Sequence, residues 1–248
     1  MGDFQIIAKS FLEIMTKYKN RFAGTIGHMA SWSFETKKHL STGEGGMITT
    51  DDPALATKAR KNGFNGYRAL SADAPLAKKL PEEFQDPLYR RHDTLGYNYR
   101  MNEITAAMGL AQLERIEELV EKRQKCGEYF TEVANSCEWI IPQFVPKDCT
   151  NSFYTFSARY LGENEIGVPW KSFWREFKDM GGDGFYGACV CPHLEPSIRK
   201  YMKTSKYKHK ISTPIAEKIQ KQIMQFKTNY RDLKNAKKKA SILKKLIN

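Results

Sequence analysis

The chain has 248 residues, 27% charged and 41% hydrophobic, with 40 Lys or Arg against 28 Asp or Glu and a net charge of +12. That balance describes a soluble globular protein with enough sequence for one large or two modest domains. No apolar run approaches membrane-spanning length, and the start lacks the basic and apolar layout of a secretory signal.

Along the chain, residues 30–34 and 46–50 read as short strands flanking a polar, glycine-containing connection, the second strand ending at Asp51, Asp52 and Pro53. Residues 53–62, with Ala54, Leu55 and Ala59, predict a helix on that layer. Residues 65–93 are rich in Ala, Pro and charge and predict a long irregular insertion, a kind of segment that often carries function. From Thr105 to about Ala134 the apolar positions Met108, Ala111, Ile116 and Val120 fall near the 3.6-residue period, predicting one long helix with Asn102 as its cap. Strands at 139–141 and 152–160 and a helix at 170–180 then predict a small α+β domain. The expected division is therefore 1–120 and 121–248, with the long helix joining the two lobes.

The tail from Arg231 to Asn248 holds seven Lys or Arg against one Asp, half of the net charge. Leu233, Ile242, Leu243, Leu246 and Ile247 give it an apolar side, so the expectation is a docked amphipathic helix with a solvated lysine face. It comes with no nucleic-acid-binding motif, and neither a nucleic acid nor a membrane is expected as a partner. Cys126, Cys137, Cys149, Cys189 and Cys191 are odd in number and lack paired spacing, which predicts free thiols in a reducing cytoplasm. Cys189, Cys191 and His193 are too sparse for zinc, and no metal site is expected.

The most informative stretch runs from Ser31 to Asp52. It sets a hydroxyl (Ser33), an amine (Lys38) and a Gly43-Glu44-Gly45-Gly46 turn at close, fixed spacing. A lysine amine forms a Schiff base with a carbonyl, and a serine hydroxyl with backbone N–H groups holds a phosphate. The grouping suits an aldehyde cofactor that carries a phosphate. It is not a P-loop, and the glycines do not continue as a dinucleotide fingerprint.

The wording of this stretch resembles the lysine region of the DegT/DnrJ/EryC1/StrS family, pyridoxal-phosphate-dependent aminotransferases of nucleotide-linked keto sugars. The shared pattern is a Ser-Phe pair, three residues, the Schiff-base lysine and a Thr-rich link into Thr42-Gly-Glu-Gly-Gly46. Counting back from Gly43 and on from Ser33 both reach Lys38 rather than Lys37. Sugar dehydratase relatives carry histidine at the lysine position; here the histidine is one place later, at His39, which favours transamination. A second block, Leu95 to Glu103 followed by Ala106 to Leu113, resembles the family's Gly-Tyr-Asn-Tyr-Arg-Met segment. The resemblance makes Asn98 a ligand of the partner subunit's cofactor phosphate and Arg100 a contact for anionic substrate groups, chemistry suited to an amide and a planar guanidinium. Residues 182–196 resemble the substrate loop of the small domain, with His193 able to touch the sugar, and residues 213–231 resemble the closing helix segment.

By that resemblance the fold is α/β, the aspartate aminotransferase-like fold of pyridoxal-phosphate-dependent transferases, with residues 1–120 forming part of the large domain and a small α+β domain following. The cofactor is pyridoxal 5'-phosphate, the donor glutamate, and the assembly a homodimer with shared active sites. One departure stands out. Family members carry a long stretch before the lysine, including an Asp that pairs with the ring nitrogen; its register falls near Lys9 or Ser10, where no Asp stands. The chain therefore reads as a C-terminal part of an aminotransferase, one that a separate N-terminal half would complete. Two other readings stay open: a non-catalytic fragment or partner subunit, and a basic nucleic-acid or membrane module resting on the tail alone.

Overall fold

The computed structural model describes residues 7–9, 14–74, 82–204 and 211–248. The chain divides into two compact units, Met1–Val120 with Pro146–Ser152, and Glu121–Val145 with Phe153–Asn248.

In the first unit, β1 (Ile7–Lys9) lies parallel to β4 (Met29–Ser33), which pairs antiparallel with β5 (Gly46–Thr49). The register sets Lys9 beside Ser31 and Ser33 opposite Gly46. A smaller sheet joins β2 (Lys17–Tyr18) to β3 (Arg21–Phe22) and to β7 (Cys149–Thr150). The turn between β2 and β3 places Lys19 and Asn20 at φ of 47° and 60°, the left-handed pair that a tight hairpin requires.

Helix α1 (Pro53–Gly63) starts where the sequence predicts. The Asp52 carboxylate accepts from the amides of Ala54 and Leu55, Pro53 occupies the first turn where no amide is needed, and Arg60 and Lys61 sit at the negative end of the helix dipole. The segment from 65 to 93 is irregular where described, apart from a short 3-10 turn at Glu82–Gln85.

The single long helix expected from Thr105 to Ala134 is instead two, α2 (Glu103–Leu113) and α3 (Ile116–Ala134). At the joint the Arg115 amide bonds the Gln112 carbonyl, three residues back, and four-residue bonding resumes with Leu119 to Arg115. This local tightening breaks the helix although the apolar period runs through it. Asn102 does cap α2, its side chain accepting from the Thr105 amide at 2.9 Å. α2 is largely apolar, with Glu103, Thr105 and Gln112 its polar residues, yet buries none of its residues; Ile104 is 79% and Leu110 62% exposed.

The second unit is built on an antiparallel sheet in the order β6 (Ile140–Pro142), β8 (Thr155–Tyr160), β9 (Ile223–Lys227). Alternation along β8 and β9 buries Phe156, Ala158 and Tyr160, and Met224 and Phe226. Phe130 of α3, Phe173 and Phe177 of α5 (Trp170–Asp179), and Phe185 close over them. Short helices α4 (Gly162–Glu165), α6 (Pro196–Thr204) and α7 (Pro214–Ile219) lie along the connections. The closing helix expected across 213–231 is corrected here: α7 gives way to β9, because Met224 and Phe226 recur every second residue and fit a strand.

The basic tail forms α8 (Leu233–Ile247), capped by Asp232 and docked through Ala236, Ala240 and Leu243. Asp183 ties this end together, accepting from the Tyr230 hydroxyl at 2.7 Å and pairing with Lys227 at 2.9 Å and Lys239 at 3.4 Å. Burial opposes the charged form of Asp183, but Tyr230, Lys227 and Lys239 outweigh it and lower its pKa below the ordinary 3.8. A carboxylate with a lowered folded pKa stabilises the fold above its unfolded pKa, and that support disappears as pH falls through the folded value. The wild type should therefore lose stability below about pH 4 more steeply than Asp183→Asn, measured by urea unfolding across the acid range.

Candidate active site

The connection between β4 and β5 is held in shape by its own main chain. The Phe34 amide donates to the Gly45 carbonyl and the Thr42 amide to the Phe34 carbonyl, both at 2.9 Å, while the Thr36 hydroxyl donates to the Gly43 carbonyl at 3.0 Å. Gly45 has φ +153°, and a Cβ there would stand 2.6 Å from the Thr42 hydroxyl oxygen. At Gly46 a Cβ would stand 2.7 Å from the Trp32 carbonyl oxygen, a main-chain atom of the paired strand. Gly46→Ala should thus push β5 off β4 and cost about 1–3 kcal/mol, read as a lower midpoint in chemical denaturation.

Ser33 ends β4, half-buried, its hydroxyl accepting from the Glu35 amide at a long 3.4 Å. Lys38 is half-buried, with its amide closing a turn onto the Glu35 carbonyl at 3.0 Å, whereas Lys37 is exposed. His39 and Leu40 turn inward, each 4% exposed. The structure thus sets Ser33 and Lys38 on one short connection.

Asn98 and Arg100 form a second grouping. Their segment lies along the end of α1, with Tyr97 and Tyr99 amides donating to Asn62 and Gly63 carbonyls at 2.7 and 2.8 Å. Arg100 Nε donates to Asn98 Oδ1 at 2.8 Å, and its guanidinium lies 4.0 Å from the Phe64 ring centroid. Both residues are exposed. A groove of about 660 Å³ runs beside β4, β5 and α1, lined by Ser31, Trp32, Met47, Arg60 and Tyr99 but by neither Ser33 nor Lys38.

His193 belongs to the second unit, where its Nε2 lies 2.9 Å from Glu217 Oε1; that oxygen also accepts from the Thr213 amide at 2.9 Å. The Thr213 amide and His193 both lower the Glu217 pKa. His193 is thus held by α7. Among the described residues no group of three or more His, Cys, Asp or Glu is arranged to hold a metal ion, and no helix is long and apolar enough to cross a membrane.

The chain matches the DegT/DnrJ/EryC1/StrS aminotransferase family over residues 10–239. It belongs to that family. The spore coat polysaccharide biosynthesis protein SpsC of Bacillus subtilis (strain 168) is 28% identical over 189 residues, 75% of this chain and 46% of SpsC. GDP-perosamine synthase of Caulobacter vibrioides is 35% identical over 147 residues, 59% of this chain and 35% of that protein. Among solved structures, the E. coli GDP-4-keto-6-deoxy-D-mannose-3-dehydratase with bound hydrated pyridoxal phosphate superposes with a TM-score of 0.78 at 20% identity, covering 99% of this chain and 61% of the dehydratase. The fold is therefore the α/β fold of the pyridoxal-phosphate-dependent sugar aminotransferases and their dehydratase relatives. This member of the DegT/DnrJ/EryC1/StrS family spans less than half the length of SpsC and of the synthase.

Of the groups pyridoxal phosphate needs, Lys38 carries an amine able to condense with its aldehyde and Ser33 a hydroxyl able to donate to its phosphate, while the Gly43 amide is already engaged with the Ser41 hydroxyl at 3.1 Å. The ring-nitrogen carboxylate that the resemblance expects near Lys9 or Ser10 has no counterpart in the sequence at either position; β1 ends on Lys9, in register with Ser31, and Ser10 lies outside the described residues. Asp3 and Glu13, the nearest acids in sequence, lie outside the described residues.

Proposed function

We propose that this chain carries the catalytic lysine of a pyridoxal-phosphate-dependent aminotransferase, which moves an amino group from glutamate to a keto sugar linked to a nucleotide. The observation that supports this best is the position of Lys38, half-buried on a braced connection that opens at Ser33 and closes in the Gly43–Gly46 turn. The names of relatives such as GDP-perosamine synthase point to the substrate class.

In this reading Lys38 would hold the cofactor and Ser33 with the turn amides would bind its phosphate. When bound, the cofactor supplies a reactive aldehyde and a ring that withdraws electrons from the carbon losing its proton. Once the donor amine has displaced it, the freed Lys38 amine would take that proton from the donor carbon and, in the second half of the exchange, deliver one to the sugar carbon, acting as base and then acid. Glutamate leaves as its 2-oxo acid, and the sugar carbonyl carbon ends bearing the amine. Asn98 and Arg100 would serve a neighbouring subunit's phosphate and anionic substrate groups, and His193 would contact the sugar. A homodimer agrees with the exposed apolar side chains of α2, Ile104, Met108, Leu110 and Leu113, since such a surface is normally covered. The five free cysteines suit a reducing cytoplasm.

A second reading is a subunit that works only with an N-terminal half. The exposed residues of α2 favour it. Mass spectrometry of a mixture of chain, pyridoxal phosphate, glutamate and a GDP- or dTDP-linked 4-keto sugar tests both. Amino sugar from the chain alone supports the first reading, amino sugar only after a family N-terminal half is added supports the second, and none in either mixture rejects both.

A further inference from the structure

We infer that His39 is a positioning residue for Lys38, acting through a hydrogen bond to the main chain at Ser152. The inference rests on the reading above that Lys38 holds the cofactor.

His39 is 4% exposed, and its Nε2–H donates to the Ser152 carbonyl at 2.8 Å, across 113 residues of sequence. A carbonyl oxygen has no proton to give, so this contact requires the proton on Nε2. Ser152 is itself fixed. It is fully buried, its hydroxyl lies 2.9 Å from that of Thr16, and it follows β7, which pairs with β2. The imidazole therefore grips a well-held point of the first unit rather than a loose loop.

Adjacent Cα atoms are about 3.8 Å apart across a trans peptide, so fixing His39 fixes the Lys38 backbone within narrow limits. On the other side, the Lys38 amide closes onto the Glu35 carbonyl at 3.0 Å. Lys38 is thus pinned at both flanks, and displacement of a reacting group by about 1 Å is enough to cost catalysis heavily. The same contact gives His39 a role other than that of a base: its Nε2 serves the fold.

The experiment measures two properties of the 248-residue chain and of its His39→Leu, His39→Asn and His39→Gln variants. One is the Kd for pyridoxal phosphate; the other is the pH midpoint at which the absorbance of the Lys38 adduct titrates. Melting temperatures identify the folded variants. Leu has no donor and Asn stops short of the Ser152 carbonyl, so both should weaken binding roughly tenfold and move the midpoint, as loss of about one hydrogen bond implies. Gln places an amide nitrogen near the Nε2 position and should restore both values. The inference is overturned if folded His39→Asn keeps the wild-type Kd and midpoint, if His39→Gln behaves like the Asn variant, or if only melting temperatures change. A wild-type chain that forms no adduct at Lys38 would instead refute the cofactor reading itself.

Discussion

Replacing Lys38 with alanine should lower amine transfer by at least about a thousandfold, because one amine is asked both to hold the cofactor and to carry the proton. Two lost roles at one position leave no nearby substitute. Lys37 is exposed, and Lys37→Ala should keep turnover within about twofold. Lys38→Arg is the informative companion: it keeps the positive charge but not a condensing amine, and should fail as completely as alanine. Rates of glutamate-dependent amino-sugar formation check all three, and an active Lys38→Ala chain would remove the lysine from the mechanism.

The largest effect on stability is expected in the second unit. Phe226 is 2% exposed and stacks on Phe130 with centroids 5.0 Å apart, lies 4.7 Å from Phe185, and meets Phe177 edge-on at 5.6 Å. It joins the sheet to α3, α5 and the 185 loop. Phe226→Ala should cost about 3–5 kcal/mol, the burial of a large ring together with a cavity that rigid neighbours cannot close. Urea unfolding of the full chain measures it, and a loss under about 1 kcal/mol would mean that the core is much more plastic than its packing implies.

Features with a local chemical cause were legible in the sequence. The strands at Met29–Ser33 and Gly46–Thr49, the start of α1 at Pro53, the cap at Asn102 and the docked tail helix each follow from a few neighbouring residues. What depended on distant partners was not. The joint at Glu114 and Arg115 has no Gly or Pro to mark it, and β9 was hidden because its alternation spans only five residues directly after a helical turn.

The candidate site divides along the same line. Ser33 ends β4 and Lys38 lies on the connection that follows, while Asn98 meets Arg100, two residues on. The tie from His39 to Ser152 crosses 113 residues and left no local signal; only a polar side chain directly after the lysine, next to Leu40, hinted that the loop turns inward there. The lock of His193 on Glu217 depends on α7 and was equally out of reach.

The most direct measurement is to reduce the chain with borohydride in the presence of pyridoxal phosphate and to map the modified lysine by peptide mass spectrometry. A single modified site is expected, Lys38, together with its loss in Lys38→Ala without transfer to Lys37. Label on Lys37, label spread over many surface lysines, or none at all would contradict it.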